Sequence, residues 1–120
     1  MAQTCNPKDI RITPVPGTVR VLLDGAVIAS STRALELNEP GAPLRHYIPR
    51  ADVVASVLVP STTHTTCPYK GVASYESLKS PAGEAHDAVW YYPSPCPLVE
   101  PIRDHLAFWG NRVKYEFSAA

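Results

Sequence analysis

The stretch from residue 64 to residue 75, H-T-T-C-P-Y-K-G-V-A-S-Y, is the densest group of ionisable and hydrogen-bonding side chains in the chain. Its candidate catalytic residues are His64, Cys67, Lys70 and Tyr75. An enclosed lysine can act as a base, as a Schiff-base nucleophile or as an anchor for an anion. A histidine can act as a general acid or base at neutral pH. The stretch therefore predicts either catalysis or the binding of a polar ligand.

The backbone of this stretch decides whether His64 and Cys67 can act together. Pro68 and Gly71 predict an irregular segment, because proline fixes φ and glycine allows positive φ. Two residues three apart on a regular strand point to opposite faces, so only a turn would bring the imidazole and the thiol together. The alternatives are a buried, inert Cys67 and a His64 that satisfies backbone groups at a strand end.

Further candidates for a binding site lie on both sides of this stretch. The candidate binding residues are Glu39, Arg45, Tyr47, Tyr69, Trp90 and Tyr92. An arginine can hold a carboxylate or phosphate through two parallel hydrogen bonds. An internal ion pair of Glu39 with Arg45 or Lys70 is the alternative for the charged residues. Core packing is the alternative for the aromatic ones.

The composition indicates one soluble globular domain. The chain has 120 residues, of which 45% are hydrophobic and 18% charged, and 11 basic residues balance 11 acidic ones. No basic stripe is present, so we expect no nucleic-acid partner. No apolar run approaches the ~20 residues of a membrane span, and the first residues lack the apolar core of an export signal. We therefore expect no membrane partner and a cytoplasmic location.

The cysteines and histidines argue against metals and disulfides. Cys5, Cys67 and Cys96 form no C-x-x-C pair, and the four histidines are scattered. We therefore predict no metal site, no disulfide and three free thiols. The chain also lacks a dinucleotide-binding fingerprint, so no cofactor is expected.

The prolines predict the fold class. Thirteen prolines in 120 residues exclude long helices and favour short strands joined by turns. Asp24-Gly25 and Gly110-Asn111 each lie between strand-like runs and predict two β-hairpins. We expect an all-β domain of short antiparallel strands with at most one or two short helices. It comprises residues 18–117, after a proline-rich lead-in (1–17) and before a short tail (118–120).

Residues 18–117 resemble domain-of-unknown-function family 427. The resemblance is carried by V-R-V-L-L-D-G-A-V-I-A, by H-T-T-C-P-Y-K-G-V-A-S-Y and by A-V-W-Y-Y-P. It implies a β-tent-like fold with a cleft between sheets. Related β-tent proteins hold zinc with two C-x-x-C knuckles, which this chain lacks. A nucleotidyltransferase label attached to the family has no support here, since the chain has no glycine-rich phosphate loop and no paired-carboxylate magnesium motif.

Two functional hypotheses follow from the sequence. The first is a cleft around H-T-T-C-P-Y-K-G that binds a polar or anionic small molecule, with acid/base or lysine-centred, non-redox chemistry of isomerase, lyase or cyclase type. The second is a non-catalytic binding or protein-interaction module that uses a surface of Trp90, Tyr92 and Trp109. We expect a monomer or a homodimer in either case. Burial of Lys70 and Tyr75 around a cavity would favour the first hypothesis.

Overall fold

The computed structural model describes residues 3–119, which form ten strands in two antiparallel sheets and three short 3-10 helices. The strands are β1 (Arg11–Pro14), β2 (Thr18–Leu23), β3 (Ala26–Ser31), β4 (Leu35–Asn38), β5 (Arg45–Pro49), β6 (Leu58–Cys67), β7 (Gly71–Ser80), β8 (Gly83–Tyr91), β9 (His105–Phe108) and β10 (Val113–Ser118). The 3-10 helices span Arg50–Asp52, Ala55–Val57 and Pro97–Ile102, one more than expected. The all-β prediction is confirmed. Within residues 3–119, no helix has the length and apolar character to cross a membrane.

The larger sheet has seven strands in the order β1-β4-β5-β9-β8-β7-β6, and the smaller has the order β10-β2-β3. Alternation along the strands gives the larger sheet two different faces. On β5, Ile48 belongs to one buried cluster and its neighbour Tyr47 to the other. The same holds on β9 for Leu106 and Ala107.

The first face packs against the smaller sheet, whose strand β2 alternates strictly between buried and half-buried residues. Its residues Val19, Val21 and Leu23 are at most 2% exposed and share a cluster with the Ile48 face. The second face packs against residues of the N-terminal segment and of the 3-10 helix Pro97–Ile102. The second face is the one that carries the candidate site.

The hairpin predicted at Asp24-Gly25 is confirmed. It joins β2 and β3, which pair in antiparallel register. Asp24 has φ 51° and Gly25 has φ 86°, so both turn residues are left-handed. That geometry matches the right-handed twist of the flanking strands and explains why Asp-Gly occupies the turn.

The hairpin predicted at Gly110-Asn111 is wrong, although a turn does form there. The amide of Val113 donates to the carbonyl of Gly110 at 3.2 Å. Strand β9 before the turn pairs with β5 and β8, whereas β10 after it pairs with β2 in the other sheet. The chain therefore crosses between sheets here, because a turn dipeptide predicts a reversal but does not choose the pairing partner.

The irregular backbone predicted around Pro68 and Gly71 is present only in a short turn. Strands β6 and β7 form a regular hairpin, in which His64 pairs with Ser74 and Cys67 with Gly71. The threonine-rich run before Cys67 favours a strand, since β-branched side chains suit a pleated surface. The irregular part is confined to Pro68, Tyr69 and Lys70.

The prediction of no disulfide is contradicted, because Cys5 and Cys96 are bonded. They are 91 residues apart, and their Cα atoms lie 5.6 Å apart. Motif spacing reports only on cysteines that are close in sequence, so it misses a bond between the N-terminal segment and a distant loop. Cys67 is the free cysteine among the described residues. The cytoplasmic location stays a prediction.

This disulfide makes a direct chemical prediction. Unfolding the protein without reductant should expose one reactive thiol, and unfolding after reduction should expose three. The double variant C5S/C96S should be less stable by about 4 kcal/mol, because the bond closes a long loop in the unfolded chain. Thiol titration and chemical denaturation measure both effects. Three reactive thiols without reductant would contradict the assignment.

Candidate active site

A cleft of about 420 Å³ opens on the second face of the larger sheet. Its lining combines charged, phenolic, indole and apolar groups. The lining residues are Leu37, Glu39, Ala42, Pro43, Arg45, Tyr47, Lys70, Tyr75, Trp90, Tyr92 and Trp109. The volume lies within the ~300–1,000 Å³ typical of sites for small molecules.

Adjacent strands present the lining through their alternation. Arg45 and Tyr47 are two apart on β5 and share a face. Tyr75 on β7 is the register partner of Trp90 on β8, which places the two aromatic residues side by side. The turn between β6 and β7 brings Lys70 to the same cleft. The sheet therefore holds residues that are far apart in sequence at fixed positions.

The loop between β4 and β5 supplies Glu39, which is only 9% exposed and contacts two cations. Its Oε1 accepts a hydrogen bond from Nζ of Lys70, and its Oε2 accepts one from Nζ of Lys8 at 2.8 Å. Burial alone would raise the pKa of Glu39, but the hydrogen bonds and charges of Lys70 and Lys8 outweigh it and lower that pKa. The carboxylate is therefore ionised at neutral pH.

Two of the tyrosines that line the cleft, Tyr47 and Tyr92, are buried. The indole Nε1 of Trp90 donates to the hydroxyl of Tyr47 at 3.1 Å. No described residue accepts the proton of that hydroxyl, and Tyr47 is 1% exposed. Burial raises the pKa of Tyr47 to about 12 and raises that of Tyr92 as well. Both phenols therefore keep their protons at neutral pH and can donate to a ligand.

Arg45 is the third cation near the cleft. Its guanidinium lies over the ring of Trp90, 5.3 Å from the centroid, in a cation–π contact. The ion pairs of the described residues do not include Arg45, so its hydrogen-bond donors are available to a ligand. Trp109 lies at the rim, 56% exposed, with its Nε1 fixed on the carbonyl of Asp87 at 3.1 Å.

The structure brings together seven of the ten candidate residues. Those that line the cleft are Glu39, Arg45, Tyr47, Lys70, Tyr75, Trp90 and Tyr92. The hydroxyl of Tyr75 shares a hydrogen bond of 2.9 Å with that of Thr65. The structure also contains the ion pair between Glu39 and Lys70 that was the alternative interpretation of these charged residues. Lys70 is therefore both paired with Glu39 and part of the cleft lining.

Three candidates lie outside the lining. His64 is exposed and its Nδ1 is 3.2 Å from the hydroxyl of Ser74. Cys67 is half-buried against the core of the second face. Because both lie on the regular part of β6, their side chains point to opposite faces and the proposed nucleophile pair does not form. Tyr69 packs beneath Lys8, whose Nζ is 4.6 Å from its ring centroid.

Sequence reasoning missed Lys8, the buried β4 residue Leu37 and the loop residues Ala42 and Pro43. Ala42 and Pro43 could have been found from the loop that follows Glu39. The sequence contains no signal for the contact of Lys8, since Lys8 lies in a polar lead-in 31 residues before its partner Glu39. For the part of the chain that the structure describes, no three histidine, cysteine, aspartate or glutamate residues form a group that could hold a metal ion.

The fold and cleft define a small all-β domain with two antiparallel sheets and a mixed aromatic and cationic pocket. Within this class, the chain belongs to the family described as a domain of unknown function, DUF427, whose model matches residues 11–119. The match confirms the resemblance seen in the sequence motifs. Among proteins with curated descriptions, none shows significant similarity to the chain.

The contacts of Glu39 predict the effect of E39Q on stability. The substitution leaves two ammonium groups without a counter-charge, so it should lower the unfolding free energy at pH 7 by about 2 kcal/mol, less than for a fully buried pair. Because the pKa of Glu39 is lowered on folding, its contribution is complete above the unfolded value near 4.5. It is lost as pH falls below that value through the folded one.

Denaturation at several pH values measures this difference. The difference in unfolding free energy between wild type and E39Q should shrink as pH falls from 5 towards 3. E84Q is a matched control, because Glu84 is exposed and forms no ion pair with the described residues. A gap that stays constant with pH, or an equal effect of E84Q, would show that the charge of Glu39 is not what stabilises the fold.

Proposed function

We propose that the protein binds a small anionic metabolite with a flat apolar body in the cleft between Lys70 and Arg45. The observation that carries the proposal is the excess of positive charge around one buried carboxylate. Lys70 and Lys8 contact Glu39, and Arg45 lines the same cleft, so the single carboxylate can neutralise only one of three cations. The remaining charge favours an anion at the cleft.

The hydrogen-bond groups of the cleft support the same ligand class. Ammonium and guanidinium groups are donors only, and the phenols of Tyr47 and Tyr92 have protons to donate. Glu39, the acceptor among the charged lining residues, is occupied by two lysines. A site rich in donors binds carboxylate or phosphate oxygens and rejects a ligand that offers donors of its own.

The aromatic lining supports a ligand with a planar or apolar part. Trp90 and Tyr75 lie next to each other on paired strands, and Trp109 extends the surface to the rim. Rings of this kind give large apolar contact areas at low entropic cost. The cleft therefore suits a molecule in which an anionic group is joined to a ring or a short hydrocarbon.

The ion pair of Lys70 bears on the proposal of lysine-centred catalysis. A Schiff-base nucleophile needs a free amine lone pair, whereas an ammonium paired with Glu39 is a donor for anions. The placement of Lys70 thus supports binding more strongly than covalent chemistry. Its side chain is 12% exposed, so it is enclosed rather than splayed on the surface, which favours a small-molecule site over an interaction module.

Benzoate and benzamide test the charge preference, because they share a shape and differ in charge. We expect benzoate to bind at least tenfold more tightly than benzamide and to shift the indole resonances of Trp90 in NMR titrations. K70M should weaken benzoate at least tenfold, since it removes a charge-assisted hydrogen bond. It should fold normally, because Lys8 still compensates Glu39.

K79M is the matched control, because Lys79 is exposed on β7 and does not line the cleft. R45M provides a second test that breaks no ion pair among the described residues. Equal affinity for benzoate and benzamide, or unchanged benzoate affinity in both K70M and R45M, would overturn the proposal. Perturbations confined to the exposed face of Trp109 would instead favour the interaction module.

A further inference from the structure

The N-terminal strap, defined here as residues 3–10, lies across the turn between β6 and β7. The amide of Asn6 donates to the carbonyl of Pro68 at 2.7 Å, and the amide of Val72 donates to Oε1 of Gln3 at 3.0 Å. A Cβ at Gly71 would lie 2.6 Å from the Gln3 side chain, so the strap and the turn are in close contact. The strap thus packs against the segment that carries Lys70.

The strap brings the second cation to Glu39. Nζ of Lys8 is 2.8 Å from Oε2 of Glu39 and lies over the ring of Tyr69. If Lys8 moved away from Glu39, Lys70 alone would compensate the negative charge of Glu39. The net positive charge near the cleft would then fall by one unit. The affinity of the cleft for an anion therefore depends on where the strap lies.

One covalent bond fixes the strap in place. Cys5, three residues before Lys8, is bonded to Cys96, whose own amide donates to the carbonyl of Lys70 at 2.9 Å. Cys5 is exposed, and both cysteines line a surface groove of about 300 Å³. The strap is otherwise held by the Lys8–Glu39 ion pair, by the buried side chain of Ile10 and by single hydrogen bonds of Gln3 and Asn6, which each contribute little on their own.

We propose that the Cys5–Cys96 disulfide is a redox switch that sets the anion affinity of the cleft by holding Lys8 on Glu39. This inference rests on the proposed function. A dithiol reductant attacks the exposed sulfur, forms a mixed disulfide and is then released by its second thiol. The S–S bond breaks, two electrons and two protons pass to the protein as two thiols, and the reductant becomes a disulfide. The released strap then moves, and the contact between Lys8 and Glu39 is lost.

Benzoate titrations with and without dithiothreitol test the switch. Reduction should weaken benzoate binding roughly fivefold, the effect of one unit charge several ångströms away in a partly solvated site. K8M should show the same loss without reductant and no further loss with it. C67S, which removes the thiol outside the bond, should respond to reductant as wild type does.

A second measurement reports on the strap independently of binding. Hydrogen exchange at the Val72 amide, which donates to Gln3, should accelerate on reduction while the β2–β3 amides stay protected. If the reduced protein unfolds, K8M in the oxidised state still tests the charge effect alone.

The outcomes separate the two proposals. Benzoate binding that K8M leaves unchanged, or a response to reductant that persists in K8M, overturns the switch and leaves the proposed function standing. A wild type that binds benzoate no better than benzamide overturns the proposed function and the switch together.

Discussion

The carboxylate of Glu39 joins three parts of the chain that share no local sequence relation. It lies in the loop after β4, accepts a hydrogen bond from Lys70 in the β6–β7 turn and another from Lys8 in the N-terminal strap. A buried carboxylate without counter-charges would be costly, and so would two partly buried ammonium groups without it. The shared contact therefore ties the three segments to one another.

The same arrangement links stability to function in the proposed account. Satisfying one carboxylate with two lysines leaves the region positively charged, and Arg45, which forms no ion pair within residues 3–119, adds to that excess. A pair of one carboxylate with one lysine would leave no surplus charge to attract an anion. The surplus cation is thus the feature that distinguishes a binding cleft from an internal ion pair.

The larger sheet determines where the charged groups of the cleft lie. Because side chains alternate on each strand, the face that buries Tyr47, Ala73 and Ala107 is opposite the face that packs on the smaller sheet. The second face is covered by irregular segments rather than by another sheet. Irregular segments leave gaps, and the cleft is the gap between the β4–β5 loop, the β6–β7 turn and the Trp109 rim.

Local patterns predicted the local features of this molecule. The prolines and the Asp24-Gly25 turn anticipated an all-β fold and one hairpin, since both act through backbone conformation within a few residues. The clustering of Glu39, Arg45 and Lys70 was also foreseen in part, because Glu39 and Arg45 flank one rigid proline-rich loop and Lys70 lies in a second turn segment. What failed was pairing over long distances: the partner of β10, the Cys5–Cys96 bond and the contact of Lys8 with Glu39.

Those failures share a cause. A strand pattern states which face is buried but not which strand lies beside it, and a lone cysteine or lysine carries no mark of a partner 91 or 31 residues away. The hairpin at His64 to Tyr75 was missed for a different reason. Its chemically rich residues and its Pro68 and Gly71 suggested irregular structure, yet the threonines before them favour a strand.

The carboxyl ¹³C resonance of Glu39, followed through an acid titration, tests the central claim most directly. The resonance reports the protonation of that one side chain in the folded protein. The account predicts a midpoint below the ordinary value of 4.5, and a midpoint that rises in K8M, because each ammonium stabilises the ionised form. A midpoint at or above 4.5 in wild type would show that the two lysines do not hold a buried carboxylate, and would contradict the account.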